Sequence, residues 1–230
     1  MFSRLVHHFF INWSKKYSRK GIHSYLETKL SLISSGMKSL NVGAGGSIQK
    51  IIINFFAHNN ISVNTISIDI DLKRNPNIIG DVCTLPFIDN CFDVISLMEV
   101  LEHIHNPQKA LNEIYRVLKP EGLLIFSVPF IFPLHDRPDD YFRFTKYGLT
   151  HLLSKYYQVE VVERNSFSEA IAVLIVRLIM EKGYRPKILA MLFMLSGAIL
   201  LTHLFNYIIK SDALTTGYVG SAKKSTKLTT

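Results

Sequence analysis

Cysteine is scarce. The chain of 230 residues has two, Cys83 and Cys91. Two thiols cannot build a disulfide scaffold or a four-thiolate zinc site. Both are expected to be ordinary thiols in a reducing, cytosolic setting, and no metal site is expected. Glycine and proline, at 12 and 8, are too few for a collagen-like or low-complexity chain. Charged residues make up 19% against 48% hydrophobic, which excludes disorder as the main state. The length suits one domain, or one domain with a modest appendage. Acid is absent before Glu27 and is outnumbered throughout, 18 against 26 basic residues, for a net charge of +8. A basic and apolar chain fits an anionic membrane surface as readily as nucleic acid. There is no internal repeat.

Arg4, Lys15, Lys16, Arg19 and Lys20 lie in the acid-free start. Between them Phe2, Leu5, Val6, Phe9 and Trp13 recur at three- and four-residue steps, giving a helix with one apolar stripe. Such a stripe serves either to rest on anionic lipid or to pack on its own domain. Basic residues on both sides of a short apolar run, with no small-residue cleavage site after it, do not make a signal peptide.

Charge is missing again from Ile188 to Ile209. A helix of that length reaches across a bilayer core of about 30 Å. Ser196, Gly197, Thr202, His203 and Asn206 dilute it. Ala170 to Met180 is apolar apart from Arg177, and Glu181–Pro186 separates the two segments as a charged turn. The pattern predicts a helical hairpin, apolar nearly all round, buried in protein or in lipid. A full crossing would leave Gly217–Lys223 on the far side, unable to join a sheet. A hairpin lying on the membrane, or folded over the site as an apolar lid, is therefore expected over a single-pass span.

The middle alternates strand and helix. Short apolar strands are expected at Ser39–Val42, Thr65–Ile70, Ile78-Ile79, Phe92–Met98, Leu123–Val128 and Gln158–Glu163. A weaker one is expected at Thr216–Ala222. Helices are expected from Ile48 to Ala57, after Asn106-Pro107 (a cap residue and a proline suited to a helix start), and over Thr145–Leu153. Such alternation implies a mostly parallel sheet covered on both faces. Ligands in such sheets bind at the carboxyl ends of the strands.

Two phosphate-binding signals are missing. Gly43 and Gly45 fit the start of the dinucleotide fingerprint, but its third glycine is replaced by Ile48. No Walker lysine follows the turn, where Ser47-Ile48-Gln49 stands. Both absences count against NAD and ATP. What remains is a glycine-rich turn opening a helix, with Asp69 at the end of the second strand, where a carboxylate can accept both hydroxyls of a ribose.

These residues resemble class I S-adenosylmethionine-dependent methyltransferases. Leu40-Asn41-Val42-Gly43-Ala44-Gly45 is similar to their first motif, and Ser67-Ile68-Asp69-Ile70-Asp71 to the acidic second. Gly80-Asp81-Val82-Cys83-Thr84-Leu85-Pro86-Phe87 resembles the segment that follows. Phe92–Ile95 through Glu99-Val100-Leu101-Glu102-His103 resembles the fourth strand and its turn, and Glu113–Pro120 the next helix. The resemblance runs from about Ser39 to Leu153 and is nearest to the type 11 subgroup. It implies an α/β, Rossmann-like three-layer sandwich around a mostly parallel seven-stranded sheet. The N-terminal helix and the hydrophobic hairpin would be additions, the latter inserted before the last strand. Expected boundaries are 1–35 for the basic extension, 36–164 for the core, 165–212 for the hairpin and 213–230 for the last strand and basic tail.

The resemblance also implies roles. S-adenosylmethionine would be the cofactor. Gly43, Ala44 and Gly45 would pass under its methionine part. Asp69 would hold the ribose, with Ile70 against the adenine, and Asp81 and the Val82 N–H would meet the adenine edge. Met98 and Glu99 would line the transfer region. The first motif usually begins with an acid, and Asn41 stands there instead, without the charge that would pair with the cofactor's ammonium. Catalysis of this kind means holding an acceptor near the methyl group and excluding water.

An oxygen or nitrogen acceptor also needs a base. The catalytic candidates are His135, as the base, whose ordinary pKa is near neutrality, and Asp140, which with Arg143 would orient a polar acceptor. Asp140 and Arg143 equally suit an ion pair that braces the loop. His103 is expected as a structural turn residue, and His7, His8, His105 and His203 as uninvolved. The acceptor is expected to be a lipid-linked sugar, a polysaccharide precursor, a quinone or a small metabolite, met at the inner face of a membrane by a peripheral cytoplasmic protein. Nucleic acid is not expected, since no Asn-Pro-Pro-Tyr-like motif follows the fourth strand. A non-catalytic membrane-associated module that kept the fold is the alternative, and Asn41 favours it.

Overall fold

The computed structural model describes residues 2–180, 197, 204 and 211–226. Strand β1 (Lys38–Val42) is buried from its second residue onward, as befits a central strand covered on both faces, with Ser39 and Asn41 buried beside Leu40 and Val42. It pairs in parallel with β2 (Asn64–Asp69) on one side and β4 (Phe92–Met98) on the other. Beyond them come β3 (Ile78–Ile79), β5 (Leu118–Pro129), β6 (Tyr156–Glu163) and β7 (Gly217–Lys224). The seven-stranded sheet runs β3-β2-β1-β4-β5-β7-β6. Only β7 is antiparallel to its neighbours, β5 and β6. This is the expected Rossmann-like α/β architecture. The chain leaves β1 in one direction and β4 in the other, so a crevice opens at the carboxyl ends of those two strands.

Alternation along the strands divides the core into two faces. Leu124 and Phe126 of β5 face α4 (Pro107–Val117) and α5 (Lys146–Leu152), where Ala110, Leu111, Ile114 and Leu149 are buried. Ile125, Val94 and Val219 face the opposite side, against α2 (Lys20–Leu30) and α3 (Gly46–His58). Burying each of these large side chains is worth roughly 1.5–3 kcal/mol. The Asn106 side chain caps α4 by accepting from the Lys109 N–H at 3.0 Å.

The N-terminal segment differs from one amphipathic helix. It forms α1 (Phe2–Ser18) and α2, broken at Arg19. Helix α2 buries Ile22, Leu26 and Leu30 in the core against α3 and the sheet. Gly21 makes this approach possible: its N–H donates to the Arg164 carbonyl at 2.7 Å, and a Cβ there would strike that carbonyl. Asn165 ties α1 to β7, donating to the Tyr17 carbonyl and accepting from Thr215 and Thr216. The periodicity of α2 was less visible in the sequence because its three buried residues stand among Lys, His, Ser and Glu.

Strand β5 starts earlier than expected. Leu118 pairs with Phe92, and the irregular stretch after it holds Glu121 in the left-handed region at φ +63°. The first arm of the expected hairpin falls within α6 (Phe167–Met180), which buries Ala170, Ala172, Val173 and Val176. The second arm, Ile188–Ile209, lies outside the described residues, as does the turn before it. No helix among the described residues is long and apolar enough to cross a membrane.

Candidate functional site

The expected site residues gather at the carboxyl edge of the sheet. Gly43, Gly45 and Gly46 follow β1 with φ of +88°, +78° and +81°, a left-handed path that only glycine takes without strain. A Cβ on Gly43 would also collide with the Val100 side chain, whereas one on Gly46 would meet nothing within 4 Å. The turn is therefore packed behind and open in front, and α3 starts directly from it.

Asp69 ends β2 beside this turn. One carboxylate oxygen accepts from the Ala44 N–H and the other from the Asp71 N–H, both at 2.8 Å. Each oxygen keeps a further lone pair. Arg74 stands 3.9 Å away. Ile70 next to it is 75% exposed, an apolar side chain left without a partner on the described chain's surface. Asp81 caps the short 3-10 turn Val82–Thr84, accepting from the Cys83 N–H at 2.8 Å through one oxygen. Val82 is buried.

Asn41 is buried and committed. Its amide donates to the Gly43 carbonyl at 3.0 Å and accepts from Ser96 Oγ at 2.8 Å. It thus fixes the glycine turn to β4, and a carboxylate in its place would have no hydrogen to give that carbonyl.

Met98 ends β4, and Glu99 follows in the left-handed region at φ +56°. The Glu99 carboxylate accepts from Ser127 Oγ at 2.9 Å and from the guanidinium of the buried Arg164 through both oxygens. Burial pushes the Glu99 carboxyl up, but the Arg164 charge and hydrogen bonds outweigh it and hold it below the usual range. Sequence reasoning missed Arg164. It lies after β6, far along the chain, and only the placement of β7 between β5 and β6 brings it in.

The loop after β5 carries the other candidates. Arg143 donates to both oxygens of Asp140, at 2.6 and 2.7 Å, and to the carbonyls of Phe132, Pro133 and Phe142. The Arg143 guanidinium is the main reason that the Asp140 carboxyl is held down to about 2. A carboxylate so stabilised is a poor proton acceptor, and the pair braces the loop. Asp140 also accepts from the His135 backbone N–H at 2.8 Å, and its Oδ2 stands 3.3 Å from His135 Nδ1.

This places His135 against Glu102 and His103, which form the 3-10 turn Leu101–His103 after β4. Glu102 is fully buried, and its Oε1 lies 3.7 Å from the Nε2 of both His103 and His135. Neither Glu102 oxygen has a hydrogen-bond partner. The Glu102 carbonyl accepts from the Tyr141 and Phe142 N–H groups, fastening the loop to the turn. Sequence reading gave His103 a turn role and Glu102 none. The signal was a carboxylate beside a histidine at a strand end, with a further histidine after the next strand.

Residues 40–126 match the Methyltransf_11 family, described as a methyltransferase domain. Among curated proteins, the chain is similar to the ubiquinone/menaquinone biosynthesis C-methyltransferase UbiE of Ruegeria sp., 52% identical over 46 residues, which cover 20% of this chain and 18% of that protein. It is also similar to UbiE of Klebsiella pneumoniae, 42% identical over 78 residues, covering 30% of this chain and 31% of that protein. The chain thus spans less than a third of these relatives' length. Among solved structures, an S-adenosylmethionine-dependent methyltransferase from Archaeoglobus fulgidus superposes with a TM-score of 0.57 at 15% identity, over 94% of this chain and 100% of that one. The [4+2]-cyclase SpnF superposes with a TM-score of 0.56 at 17% identity, over 88% and 82%. At such identities the likeness establishes the fold.

Proposed function

We propose that this chain, whose residues 40–126 carry a methyltransferase domain of the Methyltransf_11 family, transfers a methyl group from S-adenosylmethionine to a small-molecule acceptor. The carrying observation is the coupling of the glycine turn to Asp69 through the Ala44 N–H. That contact holds a carboxylate with free lone pairs beside bare backbone, the arrangement that a ribose and an amino-acid tail require together. The residues fit the cofactor: the front of the turn is open at Gly46, and Ile70 offers an exposed apolar surface.

When bound, the cofactor supplies a methyl group on a cationic sulfur, already activated for displacement. The chain's residues bind and orient. Asp69 accepts from the ribose hydroxyls, Ile70 lies against the adenine, and the free oxygen of Asp81 accepts from the adenine amino group beside the Val82 N–H. Gly43, Ala44 and Gly45 run under the methionine part. Asn41 acts from behind by holding Gly43. Glu99, paired with Arg164, keeps Met98 and the end of β4 in place at the transfer region. Asp140 and Arg143 fix the loop that carries His135, and His135 takes the proton that the acceptor releases.

The acceptor we infer is apolar or lipid-linked and is met at a membrane surface. The relatives named for quinone C-methylation support the apolar acceptor. Helix α1 supports the surface, with Lys15 and Lys16 in its last turn and Phe9 exposed.

Calorimetric titration of the purified chain with S-adenosylmethionine tests the reading. Hydrogen bonds to a charged group are worth about 1.5–3 kcal/mol, so Asp69→Ala should weaken binding roughly tenfold to a hundredfold. Absence of binding to well-folded wild type would sink the proposal. It would favour the second reading, a non-catalytic module, for which the supporting observation is the uncharged Asn41 where the first motif usually has an acid.

A further inference from the structure

Glu102 poses a physical problem that the methyl-transfer reading leaves unsolved. Its side chain has no exposure, and both carboxylate oxygens lack a hydrogen-bond partner. Burying a carboxyl group whose oxygens have no hydrogen-bond partner is costly, whether it stays charged or takes up a proton. Two imidazole nitrogens face it, each at 3.7 Å, too far for a hydrogen bond. The facing ligand atoms of Glu102, His103 and His135 all lie within 4.8 Å of one another.

The outer contact of His103 sets its tautomer. His103 Nδ1 lies 2.5 Å from the Asp139 carbonyl, an acceptor, so Nδ1 carries the hydrogen and Nε2 presents its lone pair inward. His135 Nδ1 lies 3.3 Å from the Asp140 carboxylate and 3.5 Å from the Arg143 Nη2 that also holds that carboxylate. A carbonyl behind an imidazole is how proteins set a histidine's tautomer and aim it at a cation, and Asp140 stands close enough to take the Nδ1 hydrogen of His135 in the same way.

We propose that Glu102, His103 and His135 bind a divalent transition-metal cation through Oε1 and the two Nε2 atoms. Imidazole and carboxylate donors suit zinc, iron or cobalt in the divalent state. Bonds of about 2.1 Å put tetrahedral donors about 3.4 Å apart, a few tenths of an ångström closer than the 3.7 Å here. A cation would satisfy the Glu102 carboxylate once the three donors, all within 4.8 Å of one another, draw in to that spacing. Three protein ligands leave a position for water or substrate, as in catalytic rather than closed structural sites. The two histidine side chains are 21% and 27% exposed, while Glu102 is not exposed at all. The site departs from the expectation of no metal, because its ligands come from two strand ends and have no spacing signature. The binding stands apart from the methyl-transfer reading. A bound cation takes the His135 lone pair that proton acceptance would use, so the two uses exclude each other in one molecule.

The test uses the full chain without an affinity tag, stripped with chelator and titrated with Co2+ while visible absorbance is recorded. About one equivalent should bind with ligand-field bands absent from the ion in buffer. His103→Ala, His135→Ala and Glu102→Gln should each weaken binding roughly tenfold or more, and Asp140→Asn roughly tenfold to a hundredfold by freeing the His135 ring. The double variant His7→Ala/His8→Ala should bind as wild type. Glu102→Gln keeps the shape of the buried side chain and covers the case in which a histidine variant does not fold. Failure of folded wild type to bind Co2+ would overturn the proposal. So would binding that survives unchanged in His103→Ala and Glu102→Gln. S-adenosylmethionine titration of the same stripped protein reads the methyl-transfer proposal separately.

Discussion

The position of a Cβ on residue 43 falls on the side chain of Val100. The glycine turn after β1 is thus seated against the first residue of the link between Glu99 and the Glu102 turn. One residue connects the proposed cofactor edge to the proposed cation site.

Gly43→Ala should therefore suffer twice. The left-handed backbone costs a residue with a Cβ about 1–2 kcal/mol, and overpacking against Val100 adds about 1–3 kcal/mol. Gly46→Ala carries only the first cost, since its Cβ meets open space. Urea denaturation should rank Gly43→Ala below Gly46→Ala, and Val100→Ala in the Gly43→Ala background should recover part of the difference. Equal losses for the two glycines would show that Val100 does not set the turn.

The Glu99–Arg164 pair makes a pH prediction. The folded carboxyl of Glu99 is held below its ordinary value by Arg164. The ionised pair then stabilises the fold at every pH above the ordinary carboxylate value of about 4.3, and the contribution fades as pH falls through the depressed folded value. Removing one partner of a buried pair costs about 3–5 kcal/mol, so Arg164→Ala should be strongly destabilised at pH 7. Glu99→Gln should flatten the loss of stability in acid. An acid limb in denaturation midpoints that is identical in wild type and Glu99→Gln would refute the assignment.

Helix α1 makes a membrane prediction. Lys15 and Lys16 close its last turn, and the sequence before Glu27 has no acid. Each lysine near an anionic surface contributes about 1 kcal/mol. The double variant Lys15→Glu/Lys16→Glu should lose roughly thirtyfold or more in partitioning onto phosphatidylserine-containing vesicles. Flotation measures it, and wild-type binding should weaken as salt rises. Equal flotation of both proteins, or none by wild type, would remove the membrane surface from the proposed function.

The sequence by itself determined what depends on local pattern. Leu40–Val42 and Val94–Leu97 became central strands because their apolar residues are covered on both faces and the two polar residues among them, Asn41 and Ser96, hydrogen-bond to each other. Asn106-Pro107 started α4 because cap chemistry acts within one turn. Gly43, Asp69 and Asp81 were legible because each stands at the end of a strand, where position follows from chain order. The tertiary structure alone decided the rest. The burial of Ile22, Leu26 and Leu30 in the core follows from the close approach of Gly21 to Arg164, which no periodicity encodes. Arg164 reaches Glu99 because β7 inserts antiparallel between β5 and β6, a pairing set by long-range packing. Glu102 and His103 meet His135 because β4 and β5 are neighbours in register, so the turn after one strand faces the loop after the other. Spacing along the chain carries no record of such a meeting, and its chemistry became visible only once the carboxylate was found buried without a partner.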